Sequence, residues 1–88
     1  MISSEITISN RLGLHARPAS KLVQTAANGN SEVFLIRDGQ RVNCRSILGV
    51  MLLAAEYGST VRFEVSGEDE IEVMRKLTEL VVNKFGED

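Results

Sequence analysis

The chain has 88 residues, 43% of them hydrophobic and 25% charged, with 12 acids and 10 bases giving a net charge of −2. That length fits one small domain, residues 1–88, and the apolar content supports a packed core and excludes a disordered chain. No apolar run approaches the ~20 residues needed to cross a bilayer and no charged leader precedes an apolar core, so the reading predicts a cytoplasmic protein with no membrane insertion.

In chain order, Ile6 and Ile8 alternate with Thr7 and predict a half-buried strand over 2–9. Asn10 to Gly13 reads as a loop. Ala16, Ala19, Leu22, Val23, Ala26 and Ala27 recur at helical spacing and predict a helix over 16–28, ended by Asn28-Gly29-Asn30, with Gly29 suited to a left-handed cap. Residues 31–37 predict a second strand around Val33-Phe34-Leu35-Ile36. Asp38-Gly39 is the strongest hairpin signal in the chain, and Arg41-Val42-Asn43 returns as a short third strand. Ser46 is a candidate N-cap for a short apolar helix over 47–54. Val61, Phe63 and Val65 alternate in a fourth strand over 60–66. Glu68, Asp69 and Glu70 suit the positive first turn of a last helix, whose buried stripe is expected to be Ile71, Met74, Leu77, Thr78, Val81 and Val82.

The order is therefore β-α-β-β-α-β-α. Alternating strands need one face covered, and three amphipathic helices can cover it. The expected class is α+β: a two-layer, open-faced β-sandwich with a four-stranded antiparallel sheet under three helices. With 5% aromatics and no Trp, the core must be built from aliphatic residues and Met. Cys44 is the single cysteine, so it forms no internal disulfide, which suggests a reducing compartment. A lone thiol of this kind is more often a small buried hydrophobe than a catalytic group.

His15 is the only histidine, in Gly13-Leu14-His15-Ala16-Arg17-Pro18-Ala19-Ser20. Pro18 just ahead of a helical run marks a helix start. The imidazole should therefore lie beside the free N–H groups of a helix N-terminus, with Arg17 close by. Such a place attracts phosphate. An imidazole, with an ordinary pKa of about 6.5, is a nucleophile at neutral pH. Nucleophile, anion-binding helix end and guanidinium together suggest phosphoryl transfer through histidine. A lone histidine at a helix start is more often a cap or a surface residue, so the constellation alone leaves both readings open.

The segment Gly-Leu-His-Ala-Arg-Pro-Ala-Ser resembles the active-site segment of the HPr family, the histidine-containing phosphocarriers of the bacterial phosphotransferase system. Asn43-Cys44-Arg45-Ser46-Ile47-Leu48-Gly49-Val50-Met51 is similar to the family segment that carries a regulatory serine. The resemblance runs over essentially the whole chain and implies the same open-faced fold. It implies that His15 accepts a phosphoryl group on Nδ1 from phosphorylated enzyme I, with phosphoenolpyruvate the original donor, and passes it to an enzyme IIA. It implies that Arg17 stabilises the transferring group, that no cofactor or metal is needed, and that the chain is a covalent carrier rather than an autonomous enzyme. Partner docking is implied at Leu14, Ala16, Ser20, Ile47, Leu48 and Met51, although apolar residues at helical spacing belong more often to a core. Ser46 is implied as the target of a kinase of the HPr kinase type, beside its capping role.

Two alternatives stay open. One is a nitrogen-branch carrier serving a regulatory phosphorelay, toward which Asn10-Arg11-Leu12-Gly13-Leu14-His15 and the ending Phe85-Gly86-Glu87-Asp88 lean. Neighbouring genes would separate the branches. The other is a nucleic-acid or small-ligand binding module, for which Phe34 and Phe63 are the only strand aromatics. Between residues 11 and 45 lie six bases and two acids, and between 56 and 88 nine acids and four bases, so the histidine falls in a basic half.

Overall fold

The computed structural model describes residues 1–53 and 55–87. Strands β1 (Ile2–Thr7), β2 (Ser31–Arg37), β3 (Gln40–Asn43) and β4 (Thr60–Gly67) form one antiparallel sheet in the order β1-β4-β2-β3. Helices α1 (Ala16–Ala27), α2 (Ile47–Leu52) and α3 (Glu70–Val82) complete the predicted β-α-β-β-α-β-α order. Residue 54, the predicted end of α2, lies outside the described residues.

Period-two alternation sets the two faces of the sheet. Val33, Leu35, Val61, Phe63 and Val65 point to one side and are buried, together with Leu22, Val50, Leu77 and Val81 from the helices. The other side is open and polar. There the Arg41 guanidinium lies 3.6 Å from the centre of the Phe34 ring. Arg41 also reaches Glu64 at 3.3 Å, and Arg62 reaches it at 3.5 Å. The acidic and basic halves of the sequence therefore interleave across this face.

Local chemistry explains the connections. Asp38 (φ 51°) and Gly39 (φ 81°) are both left-handed, as a two-residue type I′ hairpin requires, and Arg37 pairs with Gln40 across it. Strand β1 ends at Thr7, but Ile8 continues inward, 1% exposed, with its N–H donating to the Ser59 carbonyl at 2.9 Å. Asp69 precedes α3 without capping it. Its carboxylate accepts instead from the Ser31 hydroxyl and then the Asn30 N–H, which hold it below the ordinary carboxylate range and tie α3 to the start of β2.

Three packing expectations are corrected. Gly29 is not left-handed, since α1 closes on Asn28 in a right-handed conformation. What a side chain at Gly29 would meet is α3: a Cβ there would sit 2.5 Å from Cγ2 of Val73. In α3 the buried residues are Val73, Met74, Leu77 and Val81, while Ile71 and Val82 are exposed. Ile71 lies two residues before Val73, about 200° round the helix, and so faces solvent. In α1, Pro18, Ala19, Leu22 and Ala26 are buried, and Ala16 and Ala27 are exposed at the two ends of the stripe.

Candidate phosphoryl-accepting site

His15 is the N-cap residue of α1, with extended backbone (φ −79°, ψ −170°). Its carbonyl accepts the Ala19 N–H at 3.0 Å, the first bond of the helix. Its side chain makes no capping bond. Pro18 has no N–H, so the unpaired donors of the first turn are those of Ala16 and Arg17, neither of which has an acceptor among the described residues. Arg17 is exposed, and its guanidinium contributes to the field at the Glu87 carboxylate. Helix end, imidazole and guanidinium thus share one surface, as the spacing predicts.

Gly13 makes this arrangement possible. It is left-handed (φ +66°), and a Cβ on it would lie 2.5 Å from the Ala55 carbonyl oxygen. The next residue, Leu14, donates its N–H to that same oxygen at 2.8 Å. The loop before α1 is therefore pressed against the chain leaving α2. Leu14 is 4% exposed and belongs to the core, which corrects its place in an exposed patch. Ala16 is exposed and Ser20 half-buried.

Two residues of this site carry no sequence signal as site residues: Asn10 and Glu87. The imidazole Nε2 of His15 lies 3.0 Å from Oε1 of Glu87, and Asn10 Nδ2 donates to that same Oε1 at 2.8 Å. Asn10 Nδ2 also donates to the Gly13 carbonyl at 2.8 Å. Asn10 is fully buried, and its Oδ1 has no partner among the described residues. The hydrogen bonds from His15 and then Asn10, aided by the charge of Arg17, hold the Glu87 carboxyl below the ordinary carboxylate range.

Helix α2 packs against α1. Ser46 caps it: the Ser46 hydroxyl oxygen accepts the Gly49 N–H at 2.9 Å, and the residue is exposed. Val50 is the buried residue of α2. Ile47, Leu48, Met51 and also Leu52 are exposed, the last a residue the sequence reading did not single out. A six-residue helix with one buried side chain turns most of its apolar surface outward.

Cys44 is wholly buried, and burial pushes its thiol up to about 12, so it is a core residue and not a nucleophile at neutral pH. Phe63 lies in the core and Phe34 beneath Arg41, so the open face of the sheet offers no bare pair of aromatics on which bases could stack. Among the described residues no helix is long and apolar enough to cross a membrane.

Residues 2–83 match the family model described as "PTS HPr component phosphorylation site". The chain is 49% identical over 88 residues to a phosphocarrier protein HPr of Xylella fastidiosa, covering 100% of this chain and 99% of that one. It is 51% identical over 87 residues to one of Cupriavidus necator, covering 99% and 98%. A crystal structure of HPr from Thermoanaerobacter tengcongensis superposes with a TM-score of 0.95 at 41% identity, over 100% of this chain and 99% of that one. The chain belongs to the HPr family, the phosphocarrier proteins of the phosphotransferase system.

Proposed function

We propose that this protein carries a phosphoryl group on His15, taken from phosphorylated enzyme I and delivered to an enzyme IIA in the cytoplasm. The observation that carries the reading is the position of the one histidine. It occupies the N-cap of α1 without a side-chain capping bond, beside Arg17 and two N–H groups that have no acceptor among the described residues.

The chemistry follows from those groups. A neutral imidazole attacks phosphorus with the lone pair of its unprotonated nitrogen. Negative charge spreads over the equatorial phosphoryl oxygens in the transition state and needs donors already in place. Arg17 and the Ala16 and Arg17 N–H groups are those donors. His15 is part-exposed, with 38% of its side chain accessible, so two successive partners can reach it. The exposed face of α2, with Ile47, Leu48 and Met51, supplies an apolar docking surface next to α1, to which Ala16 and Ser20 of α1 belong in this reading.

Ser46 acts in this reading as a regulatory phosphorylation site. A phosphate there would add about −1.5 to −2 charge beside Ile47 and Leu48, at a helix end that tolerates an anion. The test of the carrier function is incubation with enzyme I and phosphoenolpyruvate followed by intact mass. One acid-labile, base-stable phosphate per chain supports it, and no uptake refutes it.

A further inference from the structure

Beyond α3 the chain does not simply run off. Lys84 (φ 55°), Phe85 (φ 56°) and Gly86 (φ 75°) form three consecutive left-handed residues. Only one is glycine, and the other two hold a backbone conformation that their side chains disfavour. Neighbouring contacts hold them there. Phe85 is 0% exposed, in the core. Its carbonyl accepts from Lys21 Nζ of α1. The Gly86 N–H donates to Asn83 at 2.9 Å and the Glu87 N–H to Lys84 at 3.0 Å. The result is a strap that brings Glu87 back to His15, 72 residues earlier in the chain.

An ionised carboxylate can only accept a hydrogen bond, so its 3.0 Å contact with Nε2 requires a proton on Nε2. A neutral imidazole has one N–H. If Nε2 carries it, the lone pair is on Nδ1. Glu87 is in turn held by the buried Asn10, which also holds the Gly13 carbonyl two residues before the histidine. Asn10, Glu87 and His15 form a connected line of hydrogen bonds, built on a loop and a strap from opposite ends of the sequence.

We propose that Glu87 is a positioning residue for phosphoryl transfer: by accepting the Nε2–H of His15 it fixes the tautomer whose lone pair is on Nδ1, and its charge stabilises the ring as that nitrogen becomes bonded to phosphorus. The inference rests on the reading of His15 as the phosphoryl acceptor. In the step, the N–P bond of the phosphohistidine donor breaks and its electron pair returns to the donor nitrogen. The Nδ1 lone pair forms the new N–P bond. The Nε2 proton stays in place against Glu87, and the ring's gained positive charge faces a fixed carboxylate. Delivery to the next acceptor is the reverse. The logic is that of the carboxylate in a Ser-His-Asp triad, which holds the tautomer and stabilises the imidazolium without taking the proton.

The test uses the full chain with Glu87→Ala and Glu87→Gln. The ring ¹⁵N resonances of His15, recorded where the ring is neutral, report the tautomer without any phosphate. The parent should be almost wholly Nε2–H. Glu87→Ala should show a mixture, and Glu87→Gln, which keeps an acceptor oxygen, should retain the parent tautomer. In transfer from phospho-enzyme I, kcat of Glu87→Ala should fall about 10- to 100-fold, the range seen when a partner that orients a histidine is lost. Its KM should stay unchanged, and Glu87→Gln should be intermediate. A parent-like tautomer and kcat in Glu87→Ala, with normal labelling of the parent, overturns the role of Glu87 and leaves the carrier reading standing. A parent chain that takes up no phosphate overturns the carrier reading itself.

Discussion

Gly13 and Ala55 meet more closely than any residue with a side chain at position 13 would allow. A Cβ on Gly13 would sit 2.5 Å from the Ala55 carbonyl oxygen and 2.7 Å from Cα of Glu56. This contact holds the histidine loop against the chain leaving α2, and so places His15 and the exposed apolar helix on adjoining parts of the surface. Gly13→Ala combines a left-handed backbone with that overlap and should cost about 1–3 kcal/mol of stability. Urea denaturation checks it, and a parent-like midpoint would show that the loop relaxes freely.

Arg17 should serve transfer rather than the fold. It is exposed and forms no hydrogen bond or ion pair among the described residues. Arg17→Ala should slow phosphoryl transfer by roughly ten- to a thousand-fold, the range for loss of one preorganised donor. Its melting temperature should barely move. Unchanged kinetics would make Arg17 an ordinary surface charge.

Ser46 should separate two effects in two variants. Ser46→Ala loses the bond from Gly49 and should cost about 1 kcal/mol of stability while transferring phosphate normally. Ser46→Asp places a charge beside the exposed Ile47 and Leu48 and should raise the apparent KM in the enzyme I reaction by about tenfold, about 1.4 kcal/mol of docking. An unchanged KM across salt concentrations would leave Ser46 a cap and nothing more.

Acid should undock the strap. The Glu87 carboxyl is lowered in the folded state, first by the hydrogen bond from His15 and next by that from Asn10. A depressed carboxyl contributes stability that is present above its unfolded value, about 4.3, and lost as pH falls through the folded value. The strap contact should therefore persist through the neutral range and fail only at a pH below the unfolded carboxyl value. The side-chain carboxyl ¹³C shift of Glu87 should titrate below an ordinary glutamate, and should move back up in His15→Ala. A midpoint that does not move in that variant would contradict the assigned cause.

How much of this was legible in the sequence depended on how local each feature is. Asp38-Gly39 encodes its hairpin in two residues, and Ser46 encodes its cap within four. His15, Arg17 and Pro18 sit within one helix turn, so the helix start and the place of the imidazole beside it could be read directly. Leu14 could not be placed, because its burial depends on the distant Ala55. Ile71 lies three residues before Met74 and Val82 four after Thr78, but neither shares a face with Val73, and α3 settles on the stripe that the sheet covers. Glu87 was invisible as a site residue. Its return to His15 depends on left-handed backbone at Lys84 and Phe85, two residue types that do not favour it, and on the burial of Phe85. Gly86 was the one local sign of a turn.

The central claim is that His15 carries the phosphoryl group, and labelling by enzyme I and phosphoenolpyruvate tests it most directly in the parent and in His15→Ala. The account predicts one acid-labile, base-stable phosphate on the parent, located on the Nδ1 atom of His15 by NMR. It predicts none on a His15→Ala chain that remains folded. Normal labelling of His15→Ala, or a phosphate on any other residue of the parent in this reaction, would contradict it.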